Sequence, residues 1–456
     1  MKYDVCVIGA GPCGNNAALE LAKKGKKVCL VEKSLTQIGG TCLNQGCIPV
    51  KSLLEAAEVC ELIKSSQNFG LEAEIKPIDL AKIKSITESQ IQRLRKGLEF
   101  LFTKSKIDLK IGTASFKNAN TITISNSDQQ IEIQADQFIL ATGSKPKEIP
   151  GISTNSKNVL YSAGLLKSHI LPKSLAIVGA GFIGTEFASM YQKWGVQVYL
   201  IEFLPQILNS EDPEIVRVLQ RELTKKGVKI FTEHKLIALK DLDHNLTELE
   251  LENLTDGRKT NLEVEQVLIA GGRKPNFSQL NLAQIGVALE NGFVKVDQNL
   301  KTNLPHIYAG GDLINTPMLA HAAAREGLVI AAAILGQANY RLTNNIPNVV
   351  YTDPQIASIG LNEKKALETN LEIEVHKTFF KANAKAIIHQ KEAGLIKIIS
   401  QKSTNKILGA SIVGPLATEI IQELVLAVEL GLTLTDLKKA VHGHPTLVEI
   451  IGDSLE

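Results

Sequence analysis

Short apolar runs alternate with glycine-rich breaks and amphipathic stretches through the first third of this chain. Tyr3-Asp4-Val5-Cys6-Val7-Ile8 is a nearly continuous apolar run, the pattern of a strand buried on both faces of a parallel sheet. Gly9-Ala10-Gly11-Pro12-Cys13-Gly14 interrupts it, and a helical pattern follows over Asn15–Lys24. A second apolar run, Val28-Cys29-Leu30-Val31, ends on Glu32. Within residues 77–106, Ile83, Ile86, Leu94, Leu98 and Leu101 share one stripe at helical spacing, which predicts a long helix packed on the sheet by that stripe. Residues 107–136 read as strands, with a bend at Gly112-Thr113-Ala114. Phe138-Ile139-Leu140 then leads into Ala141-Thr142-Gly143-Ser144-Lys145-Pro146, and Pro150-Gly151 marks a crossing between domains.

The order then recurs. Leu175-Ala176-Ile177-Val178 precedes Gly179-Ala180-Gly181-Phe182-Ile183-Gly184, a helix through Trp194, and the strand Val198-Tyr199-Leu200-Ile201, which ends on Glu202. Glu32 lies 23 positions after Gly9, and Glu202 lies 23 after Gly179. A strand-rich segment turning at Asp256-Gly257 follows, and Val267-Leu268-Ile269 leads into Ala270-Gly271-Gly272-Arg273-Lys274-Pro275-Asn276. Strand, glycine loop, helix, strand and acid, in that register, form a dinucleotide-binding unit. The glycines allow a tight turn and close phosphate approach, the helix N-terminus faces the pyrophosphate, and the acid takes the ribose hydroxyls. Two such units imply two nucleotide cofactors and a relay of electrons between them.

Ile307-Tyr308-Ala309-Gly310-Gly311-Asp312 and Pro317-Met318-Leu319-Ala320-His321 come next, with a helix to about Leu335. From Asn344 a third unit begins. It has strand-like runs at Leu395–Ser400 and Ile407–Val413, helices at Ala417–Leu430 and Leu434–Ala440, and no nucleotide loop. A length of 456 residues accommodates about three such domains. With 44% hydrophobic and 21% charged residues the chain is of the globular class, and its net charge of +2 gives no reason to expect nucleic acid or an anionic membrane as partner. No apolar run approaches the ~18 residues of a membrane span. The first residues pass straight into a strand, so no signal or transit peptide and a cytoplasmic location are expected.

All six cysteines fall within the first 60 residues. That is not a secreted disulfide framework; it suggests a reducing compartment with one special pair, and no metal site is expected. The pair is in Gly39-Gly40-Thr41-Cys42-Leu43-Asn44-Gln45-Gly46-Cys47-Ile48-Pro49. Five positions of regular helix would turn the two side chains about 140° apart, beyond bridging. Either they are two buried thiols that never touch, or the helix is broken between them, which Asn44 and Gly46 permit. Pro49 suits a helical first turn, so Cys47 stands at or near a helix N-terminus; that dipole, with Lys51 one turn on, favours the thiolate. Cys6, Cys13, Cys29 and Cys60 read as ordinary buried residues.

Residues 39–49 match throughout the Gly-Gly-x-Cys-x-x-x-x-Cys-x-Pro run of the flavin-dependent pyridine nucleotide–disulfide oxidoreductases, and the chain resembles that family over essentially its whole length. The resemblance implies an α/β fold of two Rossmann-like dinucleotide-binding domains, for FAD and NAD, with β-rich inserts, plus a C-terminal α+β dimerisation domain. The expected division is 1–147 with 277–343 for FAD, 148–276 for NAD and 344–456 for dimerisation. Cys42 is then the interchange thiol and Cys47 the thiol that faces the flavin. FAD would be held by Gly9, Gly11, Gly14, Glu32, Lys33, Gly40, Thr41, Lys51, Ala114, Thr142, Gly143, Ser144, Asp312, Met318, Ala320 and His321. NAD would be held by Gly179, Gly181, Ile183, Gly184, Glu186, Glu202 and Gly272. Lys51 and Glu186 match a family ion pair beside the flavin. His444 and Glu449 match a His-Pro-x-x-x-Glu pattern in which the histidine is the base for thiol exchange, acting on the disulfide of the partner subunit in a homodimer. His442 lacks such support and reads as structural.

Particular residues separate branches of the family. No arginine follows Glu202 before Arg217, where relatives that use NADP carry arginines for the 2′-phosphate. No cysteine follows Cys60, where mercuric and large thioredoxin reductases need more. The Pro317–His321, Thr352-Asp353-Pro354 and His442–Thr446 runs most resemble the branch that oxidises dihydrolipoyl groups. Its partners are lipoyl domains of 2-oxoacid dehydrogenase or glycine cleavage proteins. Ala322 stands where relatives often have lysine. The alternatives are another FAD-dependent NAD(P)H disulfide reductase, or a non-catalytic flavoprotein scaffold subunit.

Overall fold

The computed structural model describes residues 1–127, 129–152, 154, 156–337 and 340–455. The chain divides into two compact units, one of Met1–Ser52, Ala81–Lys147 and Gly272–Thr343, the other of Leu53–Leu80, Glu148–Gly271 and Asn344–Glu456.

The first unit is built on β1 (Lys2–Ile8), whose Val5, Cys6, Val7 and Ile8 are all buried. It pairs in parallel with β2 (Val28–Glu32) on one side and on the other with β6 (Gln130–Leu140). The sheet runs β3 (Asp108–Ile111), β2, β1, β6, β5 (Thr121–Ser125), β4 (Thr113–Asn118). β6 does double duty. Its first half closes an antiparallel meander with β5 and β4, and its second half lies parallel to β1 and to the strand Ile307–Ala309. Parallel strands need crossovers, and α1 (Pro12–Lys23) supplies the first, starting on Gly11 with Pro12 in its first turn. The helix Ala320–Ile334 lies close against α1, since a Cβ on Gly327 would meet the Cys13 carbonyl. Cys13 is itself buried under Gly310.

α4 (Leu80–Lys104) is the expected long helix, but its packed face is not the expected one. Leu80, Lys84, Thr87, Ile91 and Phe102 are buried, whereas Ile86, Leu94 and Leu101 are exposed and Ile83 and Leu98 half-buried. The buried face is turned roughly 70° from the apolar stripe. Polar contacts accompany the buried Leu80, Ile91 and Phe102 on this side: Thr87 Oγ1 bonds Ser52 Oγ at 2.8 Å, and Arg95 bonds Asn44. Of the cysteines read as buried, Cys6, Cys13 and Cys29 are so, and Cys60 is half-exposed on α3 (Cys47–Lys64).

In the second unit a parallel sheet runs Lys229–Phe231, Gln197–Ile201, Ser174–Val178, Gln266–Ile269, Val159–Tyr161. The helix Phe182–Lys193 follows the glycine loop, and an antiparallel insert of His234–Asp241, Thr247–Asn253 and Lys259–Val264 follows the acid. The C-terminal part is an antiparallel sheet, Asn348–Val350, Gln355–Gly360, Ile407–Gly414, Leu395–Gln401, Ile373–Phe379, covered by the helix Ala417–Leu430. An ion-pair cluster binds segments of this unit: Lys193, itself buried, meets Glu58 and Asp353, while Lys226 lies 2.5 Å from Asp353. These lysines hold the Asp353 carboxyl far below its ordinary range against the cost of burial.

Glu326, on the helix Ala320–Ile334, is buried and accepts from Gly311 N at 2.6 Å and Thr316 Oγ1 at 2.7 Å. Burial pushes its carboxyl up from 4.5 to about 7, against those two bonds. The folded chain therefore keeps a proton that the unfolded chain releases near 4.5. The resulting stabilisation is complete below that pH and lost as pH rises to about 7, on the order of 3 kcal/mol in all. Glu326→Gln is expected to flatten this loss: between pH 5 and pH 8 the melting temperature of the variant falls less than that of the natural protein. Parallel melting curves would refute the assignment.

Candidate active site

The helix around the cysteines is broken. α2 (Gly40–Gln45) ends at Gly46, whose φ of −141° and ψ of −116° lie outside the helical region, and α3 starts afresh at Cys47. The break brings Cys42 and Cys47 together. Both are in the thiol form, both are half-buried, and their side chains are hydrogen-bonded to each other. That bond and burial raise the Cys42 thiol, and Lys51 pulls it the other way. Asn44 keeps the loop in place by donating to the Ile38 and Gly40 carbonyls, each at 2.9 Å.

The neighbouring backbone is a nucleotide cradle. Gly9 has φ +109°, and a Cβ there would strike the Ala141 carbonyl; a Cβ on Gly14 would strike the Gly9 carbonyl, and one on Gly40 the Gly11 Cα. No side chain caps α1, so its first-turn N–H groups are left for a phosphate. Glu32 accepts from Ala10 N at 2.8 Å and from Lys33 N at 2.7 Å, which places its carboxylate beside the loop; burial raises its pKa. These features fit the FAD that the family resemblance implies.

Several other expected FAD contacts gather in the same unit. Ser144 Oγ bonds the Asp312 carboxylate, Thr142 Oγ1 donates to the Asn276 carbonyl at 2.6 Å, and Gly143 (φ +69°) accepts from Asn276 N. Ala114 is buried in β4, while Thr41 and His321 are exposed. Met318 and Ala320 are half-buried around the start of the helix Ala320–Ile334, and Ala322 is buried within it. Arg273, absent from the expected set, donates from Nε to Ser144 Oγ at 2.7 Å and from Nη2 to the Ser144 carbonyl at 2.8 Å. Burial lowers its pKa, and Asp312 and Cys47 raise it, so this guanidinium is a cation close to both. Its sequence signal was the closing Ala-x-Gly-x-Lys-Pro run, in which it occupies an unassigned place. Glu326 had no comparable signal.

The second cradle repeats the first. A Cβ on Gly179 would meet the Ala270 carbonyl and one on Gly184 the Gly179 carbonyl; Gly181 precedes a helix without a side-chain cap, with Ile183 in its first turn. Glu202 accepts from Ala180 N at 2.6 Å and Leu204 N at 3.0 Å. Glu186 is buried and accepts from Tyr351 N at 3.1 Å. Gly272, expected with this cradle, groups with the first unit, where its carbonyl accepts from Lys147 N.

His444 and Glu449 form a pair in the C-terminal part. Nδ1 of His444 lies 2.9 Å from Glu449 Oε1, and Glu449 Oε2 accepts from Thr446 N at 2.7 Å. That backbone bond, then the histidine, lower the Glu449 pKa. In the single chain 73% of the His444 side chain is exposed, so its free edge is open to a reactant. His442 instead ties to Glu423 at 3.1 Å. Among the described residues no cluster suited to a metal ion occurs, and no helix is long and apolar enough to cross a membrane.

Comparison with known proteins places this arrangement. Residues 3–327 match the family model described as pyridine nucleotide-disulphide oxidoreductase, and residues 346–455 match that family's dimerisation domain. The chain is similar to the dihydrolipoyl dehydrogenase of Geobacillus stearothermophilus, 36% identical over 100% of this chain and 96% of the relative. It is 37% identical to that of Thermus scotoductus, over 100% and 97%, and 35% identical to the mitochondrial one of Schizosaccharomyces pombe, over 100% and 89%. Among solved structures it resembles the Cu(II) complex of the HOCl-induced flavoprotein disulfide reductase RclA from Escherichia coli, with a TM-score of 0.90 and 27% identity over 100% of this chain and 99% of the other. With a paired dithiol, two nucleotide cradles and these matches over its length, the chain belongs to the pyridine nucleotide-disulphide oxidoreductase family.

Proposed function

We propose that this protein is a dihydrolipoyl dehydrogenase: it oxidises dihydrolipoyl groups carried on lipoyl domains and passes the electrons to NAD⁺. The carrying observation is the Cys42–Cys47 dithiol, held at a helix break in the unit that also holds the first nucleotide cradle. The full-length likeness to proteins of that name supports the substrate class.

The reaction starts from the disulfide form. Glu449 holds Nδ1 of His444, which leaves Nε2 to take a proton from the first dihydrolipoyl thiol. That thiolate attacks Cys42 Sγ; the Cys42–Cys47 bond breaks and Cys47 leaves as thiolate at the N-terminus of α3. The second lipoyl sulfur, once deprotonated, attacks the mixed disulfide. The lipoyl ring closes and Cys42 is released reduced. FAD bound here would supply the two-electron relay between the dithiol and NAD⁺. The glycine loop and Glu32 would hold it, and the Ser144–Asp312–Arg273 group ties together segments of the same unit. Glu202 accepts from a free ribose 2′-hydroxyl and repels a 2′-phosphate. A homodimer, supported by the matched dimerisation domain, supplies His444 of one chain to the cysteines of the other.

Turnover of free dihydrolipoamide with NAD⁺ is the direct test. Activity only with NADPH and another disulfide would favour a different reductase, and bound FAD without turnover of either kind would favour a scaffold subunit. Glu202→Ala is expected to lower kcat/KM for NAD⁺ by about tenfold or more, and to narrow the preference over NADP⁺. Equal use of both cofactors by the natural protein would sink that role. His444→Gln should slow the thiol half-reaction by about two to four orders of magnitude, with little change in reduction by NADH. A heterodimer of one Cys42→Ser chain and one His444→Gln chain separates shared from self-contained sites. Sharing leaves one intact site and about half of natural activity; self-contained sites leave none.

A further inference from the structure

The cysteines sit on opposite sides of the break, Cys42 in α2 and Cys47 in α3, and both helices are tied to the same third helix. Arg95 of α4 donates to Asn44 Oδ1 from Nη2 at 2.7 Å and from Nε at 3.2 Å. Thr87 of α4, which also donates to the Ile83 carbonyl at 3.1 Å, meets Ser52 Oγ at 2.8 Å. Asn44 is thereby saturated. Its two N–H groups go to Ile38 and Gly40, and both lone pairs of its oxygen go to one guanidinium. Thr87 and Arg95 are eight residues apart, about 12 Å along a rigid 25-residue helix. α2 has six residues and no side-chain N-cap, too little to hold a position by itself.

We propose that α4 is a splint that sets the separation of the two sulfurs, with Arg95 as the positioning residue that keeps the Cys42 side preorganised for bonding to Cys47. The inference rests on the reading of this dithiol as the redox pair. It also gives a role to Thr87 and Arg95, which stand on the packed side of the helix beside the buried Leu80, Ile91 and Phe102. Only a planar guanidinium delivers two N–H groups to one amide oxygen; a lysine ammonium at this site presents a point charge.

The test is the thiol–disulfide equilibrium of the holoenzyme against dithiothreitol. The enzyme dithiol and cyclic oxidised dithiothreitol exchange to the Cys42–Cys47 disulfide and the open dithiol. One S–S bond forms, one breaks, and two electrons and two protons pass to dithiothreitol. Alkylation of the remaining thiols and mass measurement read the fraction closed. Arg95→Met is expected to lower the equilibrium constant for closure by about tenfold, a rise of about 30 mV in potential. Thr87→Val shifts it the same way, Arg95→Lys lies between natural protein and Arg95→Met, and Arg93→Met, which removes the same charge from an exposed position of α4, stays within about twofold. The proposal is overturned if Arg95→Met stays within about twofold of the natural protein, or if Arg93→Met shifts as far, which would make the effect one of charge. Should Arg95→Met not fold, Arg95→Lys and Thr87→Val decide, and no shift in either overturns it. A natural protein that never closes the bond under these conditions refutes the redox reading itself, and this proposal with it.

Discussion

Two cysteines five positions apart can touch only if the helix between them is interrupted, and the interruption at Gly46 is the constraint on which the site depends. Gly46 leaves helical geometry, α3 restarts at Cys47, and the two sulfurs meet. The same break places Cys47 at a fresh helix N-terminus and leaves Cys42 with a raised pKa under its neighbour's hydrogen bond and burial. A loop that departs from regular structure is costly to hold, and side chains hold it. Asn44 ties it to its own backbone, and Arg95 and Thr87 tie its two flanks to α4.

The two nucleotide cradles show one backbone solution used twice. In each, the first glycine lies under a carbonyl from the strand that closes the unit, and the third lies against the first glycine's carbonyl. In each, the acid after the second strand accepts from the residue that follows the first glycine. The acid's second oxygen differs, bonding the adjacent Lys33 in one case and Leu204, two residues on, in the other. Recurrence of the backbone contacts explains why the first and third glycines stand at a fixed interval: a Cβ on Gly9, Gly14, Gly179 or Gly184 falls on main-chain atoms that cannot move aside.

The chemistry is divided between parts of the chain with different surroundings. The dithiol is half-buried beside Asn44, Arg95 and a cationic Arg273. In the single chain the His444–Glu449 pair lies open, its geometry set locally by the Thr446 amide and by Asn383, which donates to the Thr446 carbonyl at 3.1 Å. A base that must hand a proton to and from an incoming thiol needs an accessible edge, and a dithiol that must reclose needs a fixed spacing. Exposure serves one and clamping the other.

What the sequence determined by itself was carried by local pattern: the parallel strands and the two glycine loops with Glu32 and Glu202 in register; the cysteine spacing left a broken helix and two separate thiols both open, and the His444–Glu449 pairing came from a short motif shared with the family. Each depends on neighbours close in the chain or on a contact between backbone atoms that only glycine permits. The tertiary structure decided what depends on partners far apart. The apolar stripe of α4 pointed to one face, yet the face that packs carries Thr87 and Arg95 beside Leu80, Ile91 and Phe102, with hydrogen bonds to Ser52 and Asn44 that lie far off in the chain. Arg273 gained its place through strand pairing of Arg273–Pro275 with Ser144–Pro146, and Glu326 through burial against Gly311 and Thr316. Periodicity measures how apolar a face is, and says nothing of which polar groups across a fold will find each other.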